Sequence, residues 1–256
     1  MSRNFIIKFI LFFVITTLLS ATVAYFLGEF DIQIPKPSQS ASSTPKYTTV
    51  IIDAGHGGED GGTSSASGLV EKDLNLEIAQ ILRDMLKSNG INVIMTREDD
   101  RLLYDRNTDY HGRKKVLDLA ARLNIAQSTP DSIFVSIHMN AFPDSKYSGL
   151  QVWYSKNEPN SQVLASLVQG NIHSRLQAEN NRKIKAATSS IYLLDKASSP
   201  SILIECGFLS NKAEADKLSS LEYKRQLSFI IFSSICEFLA NAEAKIQSKI
   251  SKQLQG

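Results

Sequence analysis

The chain has 256 residues, 43% hydrophobic and 21% charged, ordinary globular values that exclude a wholly disordered or collagen-like protein. Lys and Arg number 28 against 26 Asp and Glu, and the net charge of +2 excludes a dedicated nucleic-acid binder. Two cysteines and no CxxC pair exclude a disulfide framework and a structural zinc finger.

The N-terminus carries Arg3 and Lys8, then an uncharged apolar run from Phe9 to Gly28, long enough to span a bilayer as a helix. Positive charge before the run and Glu29 and Asp31 after it orient the rest of the chain outward. Residues 1–28 therefore read as a membrane anchor, with a signal peptide cut near Ala24 as the rival; both export the downstream residues. Residues 29–46, rich in Pro and Ser, read as an extended tether. A folded domain is expected over 47–244, with a polar tail over 245–256.

Tyr47 to Asp53 is a β-branched run closed by glycines, a buried strand. Leu74, Ile78, Ile81, Leu82 and Met85 repeat at helical spacing over Lys72–Ser88, and Asn89-Gly90 stops that helix. Ile91–Thr96 reads as a second strand, and Arg113–Gln127 as a second helix with Val116, Leu119, Ala120 and Leu123 inward. Further strands are predicted at Ser132–Ile137, Gly149–Tyr154, Ile191–Leu194 and Ile202–Glu205. Helices are predicted at Ser161–Ala178 and Leu221–Ala240. This alternation predicts an α/β domain of three layers, a mainly parallel twisted sheet between helices, with ligands at the carboxyl ends of strands.

Two of the four histidines occupy that position. His56 comes after Val50–Asp53 among glycines, and His138 after Ile133–Ile137. Glu205 ends the aliphatic run Ile202–Ile204, where a carboxylate is costly unless paired or metal-bound. Glu71 opens the first helix. Singly, His56 reads better as a turn histidine and Glu71 as a first-turn acid, while Glu205 reads equally well as half of a salt bridge. Taken together, two imidazoles and a carboxylate form the ligand set of a catalytic zinc with an open position, and a further glutamate can serve as base and acid. His111 and His173 read as surface residues, and Cys206 and Cys236 as buried free thiols, with a disulfide between them as the alternative outside the cell.

The segments Val50–Gly62, Glu71–Asn75, Ser136–Ala141 and Glu205–Asn211 resemble the zinc-dependent N-acetylmuramoyl-L-alanine amidases of the type 3 family, bacterial cell-wall hydrolases. The resemblance runs from Tyr47 to about Ala240 and rests on separated motifs in order. It implies that His56, Glu71 and His138 hold Zn2+, that Glu205 is catalytic and that Asn140 either touches substrate or supports the metal ligands from behind. Thr96-Arg97 with Asp100, and Asp118 with Arg122, match further family stretches. The implied substrate is peptidoglycan, cut between N-acetylmuramic acid and L-alanine.

Anchor, tether and bare catalytic domain resemble the CwlD-type sporulation and germination branch. That likeness implies muramic-δ-lactam formation in spore cortex, at the cell wall or in the forespore intermembrane space. Ala141–Gly149 leaves no room for the plug helix of some members, so control falls to timing or a regulatory protein partner. A zinc peptidase or carboxypeptidase acting on the stem peptide, and a silent wall-binding scaffold, remain as alternatives.

Overall fold

A computed structural model describes residues 46–104, 107 and 111–253. The expected membrane segment and nearly all of the tether lie outside the described residues. Six strands, β1 (Thr49–Ala54), β2 (Asn92–Met95), β3 (Ser132–Asn140), β4 (Gln151–Tyr154), β5 (Lys185–Ala186) and β6 (Ser201–Phe208), form one sheet in the order β2-β1-β3-β6-β4-β5. The helices are α1 (Glu71–Ser88), α2 (Lys114–Gln127), α3 (Asn160–Arg175), α4 (Tyr192–Lys196), α5 (Lys212–Ser219) and α6 (Leu221–Gln253).

Alternate residues of each strand point to opposite faces, and that alternation sorts the core. Val50, Ile52, Val135, Ile137, Val152, Ile202 and Ile204 meet Ile78 and Leu82 of α1, Leu164 and Val168 of α3, and Ile231 and Ile235 of α6. Ile51 and Phe134 face the other way, onto Leu119, Leu123 and Ala126 of α2 and Leu193 of α4. Helices thus cover both faces. Among the described residues, one helical stretch, Leu221–Lys245 with mean hydropathy 1.4, is long and apolar enough to cross a membrane. Leu227, Ile230, Ile231, Ile235 and Phe238 of that stretch are buried in the core.

The sheet is mainly parallel, as expected: β2, β1, β3 and β6 run parallel, and β4 pairs antiparallel with β6. The chain between Asn140 and Gln151 is a loop without a helix, and so short a link returns the strand antiparallel. Ile191–Leu194 forms α4 and its approach rather than a strand, because a short apolar run does not tell helix from strand by periodicity; the edge strand is Lys185–Ala186. Helix α2 leaves Val116 60% exposed and buries Asp118 and Arg122 instead, since its inward face ends in charge rather than apolar surface. Helix α5 was missed although Asn211 caps it, its Oδ1 accepting from Glu214 N at 3.2 Å. The polar tail is helical through Gln253, continuing α6.

Candidate metal centre

β3 is the spine of the site. Across it, Asp53 of β1 stands opposite Ser136, and Glu205 of β6 stands opposite His138. Strand alternation puts all four side chains on the α2 face.

His56 comes just after β1 with φ +61°, a left-handed backbone that a residue with a side chain adopts only when its surroundings enforce it. Two guanidinium groups supply that force. Arg122 Nη1 donates to Ala54 O at 2.8 Å and Nη2 to His56 O at 2.6 Å. Arg97 Nε donates to Ala54 O at 2.8 Å and Nη2 to Gly55 O at 3.0 Å. Three successive carbonyls are pinned, and the imidazole of His56 turns toward Glu71.

Glu71 Oε1 lies 3.2 Å from His56 Nε2 and 3.0 Å from His138 Nδ1. It also accepts from Met139 N at 3.0 Å, and Oε2 accepts from Thr63 N at 2.9 Å. The two rings meet edge-on, centroids 5.0 Å apart at 74°. One ligand atom from each of His56, Glu71 and His138 falls within 4.8 Å of the others.

Two glycines make the space. A Cβ on Gly55 would sit 2.3 Å from the His138 ring. A Cβ on Gly62 (φ +70°) would sit 2.4 Å from Glu71 Oε2 and 2.9 Å from His56 Cδ2. Any side chain at either position displaces one of the three.

Burial alone would raise Glu71, but hydrogen bonds from His138 and His56 outweigh it and hold the carboxyl well below its ordinary range. Burial opposes charge on His56 as well, yet Glu71 and then Asp60, whose Oδ1 lies 2.9 Å from Nδ1, push the imidazole up. That last contact is one of charge rather than of aligned hydrogen-bond geometry. Glu205 behaves oppositely: burial first, and the negative charge of Glu71 second, push it up to about 8.

Among the described residues, three buried side-chain polar atoms lack a hydrogen-bond partner: His56 Nδ1, Asn75 Oδ1 and Glu205 Oε2. All three belong to this cluster, since Asn75 Nδ2 reaches Glu71 Oε1 at 3.5 Å. Buried polar atoms are normally satisfied, so a concentration of orphans marks capacity kept for a ligand. Two imidazoles and a carboxylate are nitrogen and oxygen donors suited to zinc, and the residues present fit a divalent cation.

A groove of about 230 Å³ opens over the cluster, walled by Leu119, Ile191, Tyr192 and Lys115. A larger cavity, about 1010 Å³, lies against α3 and α6 but has no histidine or carboxylate among the described residues that line it.

The structure thus brings together four of the five residues singled out from sequence. Asn140 is two residues beyond His138 on β3; its main-chain O accepts from Leu209 N at 2.8 Å, and its side chain makes no hydrogen bond among the described residues. Asp60, Asn75, Gly55 and Gly62 were overlooked individually. The signal available was the density of glycines around His56. His111 and His173 are exposed, and Cys206 and Cys236 are free thiols.

Residues 50–237 match the N-acetylmuramoyl-L-alanine amidase family. The chain belongs to this family. A germination-specific N-acetylmuramoyl-L-alanine amidase of Bacillus subtilis (strain 168) is 35% identical over 189 residues, covering 74% of this chain and 78% of that protein. Among solved structures, the CwlD amidase from Clostridioides difficile, in complex with the GerS lipoprotein, shares 39% identity at a TM-score of 0.71. The match covers 75% of this chain and 98% of that one. The amidase AmiC2 of Nostoc punctiforme matches at 30% identity and TM-score 0.65, covering 77% and 99%.

Proposed function

We propose that this amidase-family chain is a zinc-dependent peptidoglycan hydrolase that cuts the amide between N-acetylmuramic acid and L-alanine, outside the cytoplasmic membrane, in maturation of spore cortex. One observation carries the chemistry. The His56–Glu71–His138 cluster lies beside Glu205, a half-buried carboxylate with one buried, unpartnered oxygen.

His56, Glu71 and His138 would hold the ion. Zinc, when bound there, supplies Lewis-acid polarisation of the scissile carbonyl and makes water more acidic. Met139 N and Thr63 N keep the two Glu71 oxygens oriented, so the acid is placed before any ion arrives. Glu205 takes a proton from the attacking water and passes it to the departing L-alanine nitrogen. Its carboxyl, pushed up to about 8 without a cation, is lowered when positive charge arrives nearby, into the range where giving and taking a proton are both easy. The groove wall of Leu119, Ile191 and Tyr192 gives apolar surface against which the substrate can exclude water.

The sporulation setting is supported by likeness to a germination-specific amidase. The relative solved with a lipoprotein supports a protein partner for this chain as well. A carboxylate ligand grips zinc less firmly than a third imidazole, which gives such a partner a role in retaining the ion.

Incubating zinc-loaded protein with sacculi and analysing the fragments by mass spectrometry tests this reading. Free L-alanine amino termini and bare glycan strands are expected. Cleavage within the stem peptide instead would establish the peptidase alternative, and no cleavage the silent scaffold.

A further inference from the structure

Away from the metal cluster, a second cationic group faces the catalytic end of the sheet. Arg182, half-buried between α3 and β5, makes no ion pair among the described residues. Its Nε donates to Ser148 O at 2.7 Å, and Nη1 reaches Gln151 Oε1 at 3.4 Å. The guanidinium carbon lies 4.6 Å from the Phe208 ring centre and 6.0 Å from that of Tyr147. A guanidinium placed over aromatic rings, with donors left over, is suited to a carboxylate.

Position ties this group to Glu205. Gln151 of β4 stands directly opposite Glu205 of β6 and on the same face. His138, Glu205 and Gln151 therefore form a row across three adjacent strands, and Arg182 continues it. Neighbouring strands lie roughly 4.8 Å apart, so the guanidinium is on the order of 10 Å from Glu205. An extended peptide covers that distance in about three residues.

The surface beyond is aromatic and open. Phe142 and Tyr147 are 50% and 38% exposed and meet edge-on at 4.8 Å. Tyr147 and Arg182 line a cavity of about 640 Å³ that also holds Lys146 and Lys217. The carboxylates of Glu214 and Glu179 share that lining. Both Glu214 oxygens are taken, by the amides of Gly149 and Phe208, and Glu179 is the remaining carboxylate in the lining. Lys146 is paired with Asp144.

We propose that Arg182, on its Tyr147–Phe208 platform, is a carboxylate-binding subsite that anchors the acidic stem peptide two or three residues beyond the scissile bond. This rests on the amidase reading for its substrate but not for its chemistry. The peptide chain crosses the strand ends from Glu205 past Gln151, and its carboxylate meets the guanidinium. The subsite selects the peptide and positions it, leaving bond cleavage to Glu205.

The test compares two probes on the whole chain: the free stem tripeptide L-alanyl-γ-D-glutamyl-lysine, and the same peptide with its carboxylates amidated. Calorimetry should show the wild-type protein binding the carboxylate form roughly tenfold tighter, as expected for a charge-assisted contact. Arg182→Gln should abolish that preference, and Arg182→Lys should restore part of it. With muropeptide substrates, Arg182→Gln should raise KM for the carboxylate form and leave kcat and the amidated substrate unchanged. Equal binding of the two probes by wild-type protein overturns the proposal, whether or not either variant folds. So does a preference that survives in Arg182→Gln. A wild-type protein that prefers the carboxylate peptide but cleaves no muropeptide supports the subsite and overturns the amidase reading.

Discussion

Asp53, fully buried, and Glu205, half-buried, are carboxylates on one face of the sheet, on the two strands that flank β3, and the molecule treats them oppositely. Asp53 is saturated: Oδ1 accepts from Thr96 at 2.7 Å and Arg122 at 2.7 Å, and Oδ2 from Ser136 at 2.6 Å. Burial raises its carboxyl, but Arg122 above all, with Ser136 and His138, brings it below the ordinary value. Glu205 has a buried oxygen with no partner and is pushed the other way. On the β1 side the network extends through Asp118, whose oxygens meet Arg122 Nε at 2.7 Å and Leu103 N at 2.7 Å. Saturation on that side fixes the loop that carries His56. Hunger on the β6 side leaves Glu205 free to handle a proton. A buried carboxylate is thus structural or chemical according to what its neighbours leave undone.

The comparison breaks first at Glu205. Glu205→Gln should retain zinc by elemental analysis yet lose about 10²–10⁴ in kcat, the usual contribution of a general acid and base. Near-normal turnover would remove the role. On the other side, Arg122→Met strands Asp53 and Asp118 without their cation and should cost about 3–5 kcal/mol in denaturant unfolding, as breaking a buried pair does. A loss under 1 kcal/mol would mean the network is dispensable. Gly62→Ala places a methyl against Glu71 and His56, and zinc titration should show affinity falling about 10–100-fold, the scale seen when groups orienting a ligand are disturbed. Unchanged affinity would show that the loop yields.

A gentler probe is pH. In chelated protein, the folded carboxyl of Glu205 sits near 8 against an ordinary 4.5, so the folded state holds a proton that the unfolded chain releases. His56, raised above 6.5, acts in the same direction. Stability should therefore fall as pH rises from about 4.5 to about 8, and the Glu205→Gln protein should lose less over that window. Identical Tm profiles for the two proteins would count against the raised carboxyl. Glu71, held low, adds stability that is present above 4.5 and fades as pH falls. Smallest of all, Val116→Ser on the exposed side of α2 should change unfolding free energy by less than about 0.5 kcal/mol.

The residues proposed to carry the chemistry stand out in the sequence because each comes after a buried aliphatic run: His56 after Val50–Ile52, His138 after Ile133–Ile137, Glu205 after Ile202–Ile204. Period two and an abrupt polar residue are local signals. Direction of β4 was not local, since it depends on which strand it meets after the Ala141–Leu150 loop, and that partner, β6, comes about fifty residues later. The inward face of α2 was misjudged because only apolar residues were counted, whereas Asp118 and Arg122 are buried by pairing with each other and with Asp53. Helix α5 had its Asn211 cap in plain view, but its eight residues carry too little periodicity to stand out. The unsatisfied atoms of Asn75 and Glu205 are invisible to any linear pattern, because satisfaction is a property of the assembled neighbours.

Diffraction from zinc-soaked crystals at the metal absorption edge is the most direct examination of the unsaturated side. One anomalous peak is expected, at about 2.0–2.2 Å from a nitrogen of His56, a nitrogen of His138 and an oxygen of Glu71, with Glu205 beside it but uncoordinated. A peak seated on Asp53 and Asp118, or ordered crystals with none near His56, would contradict the account.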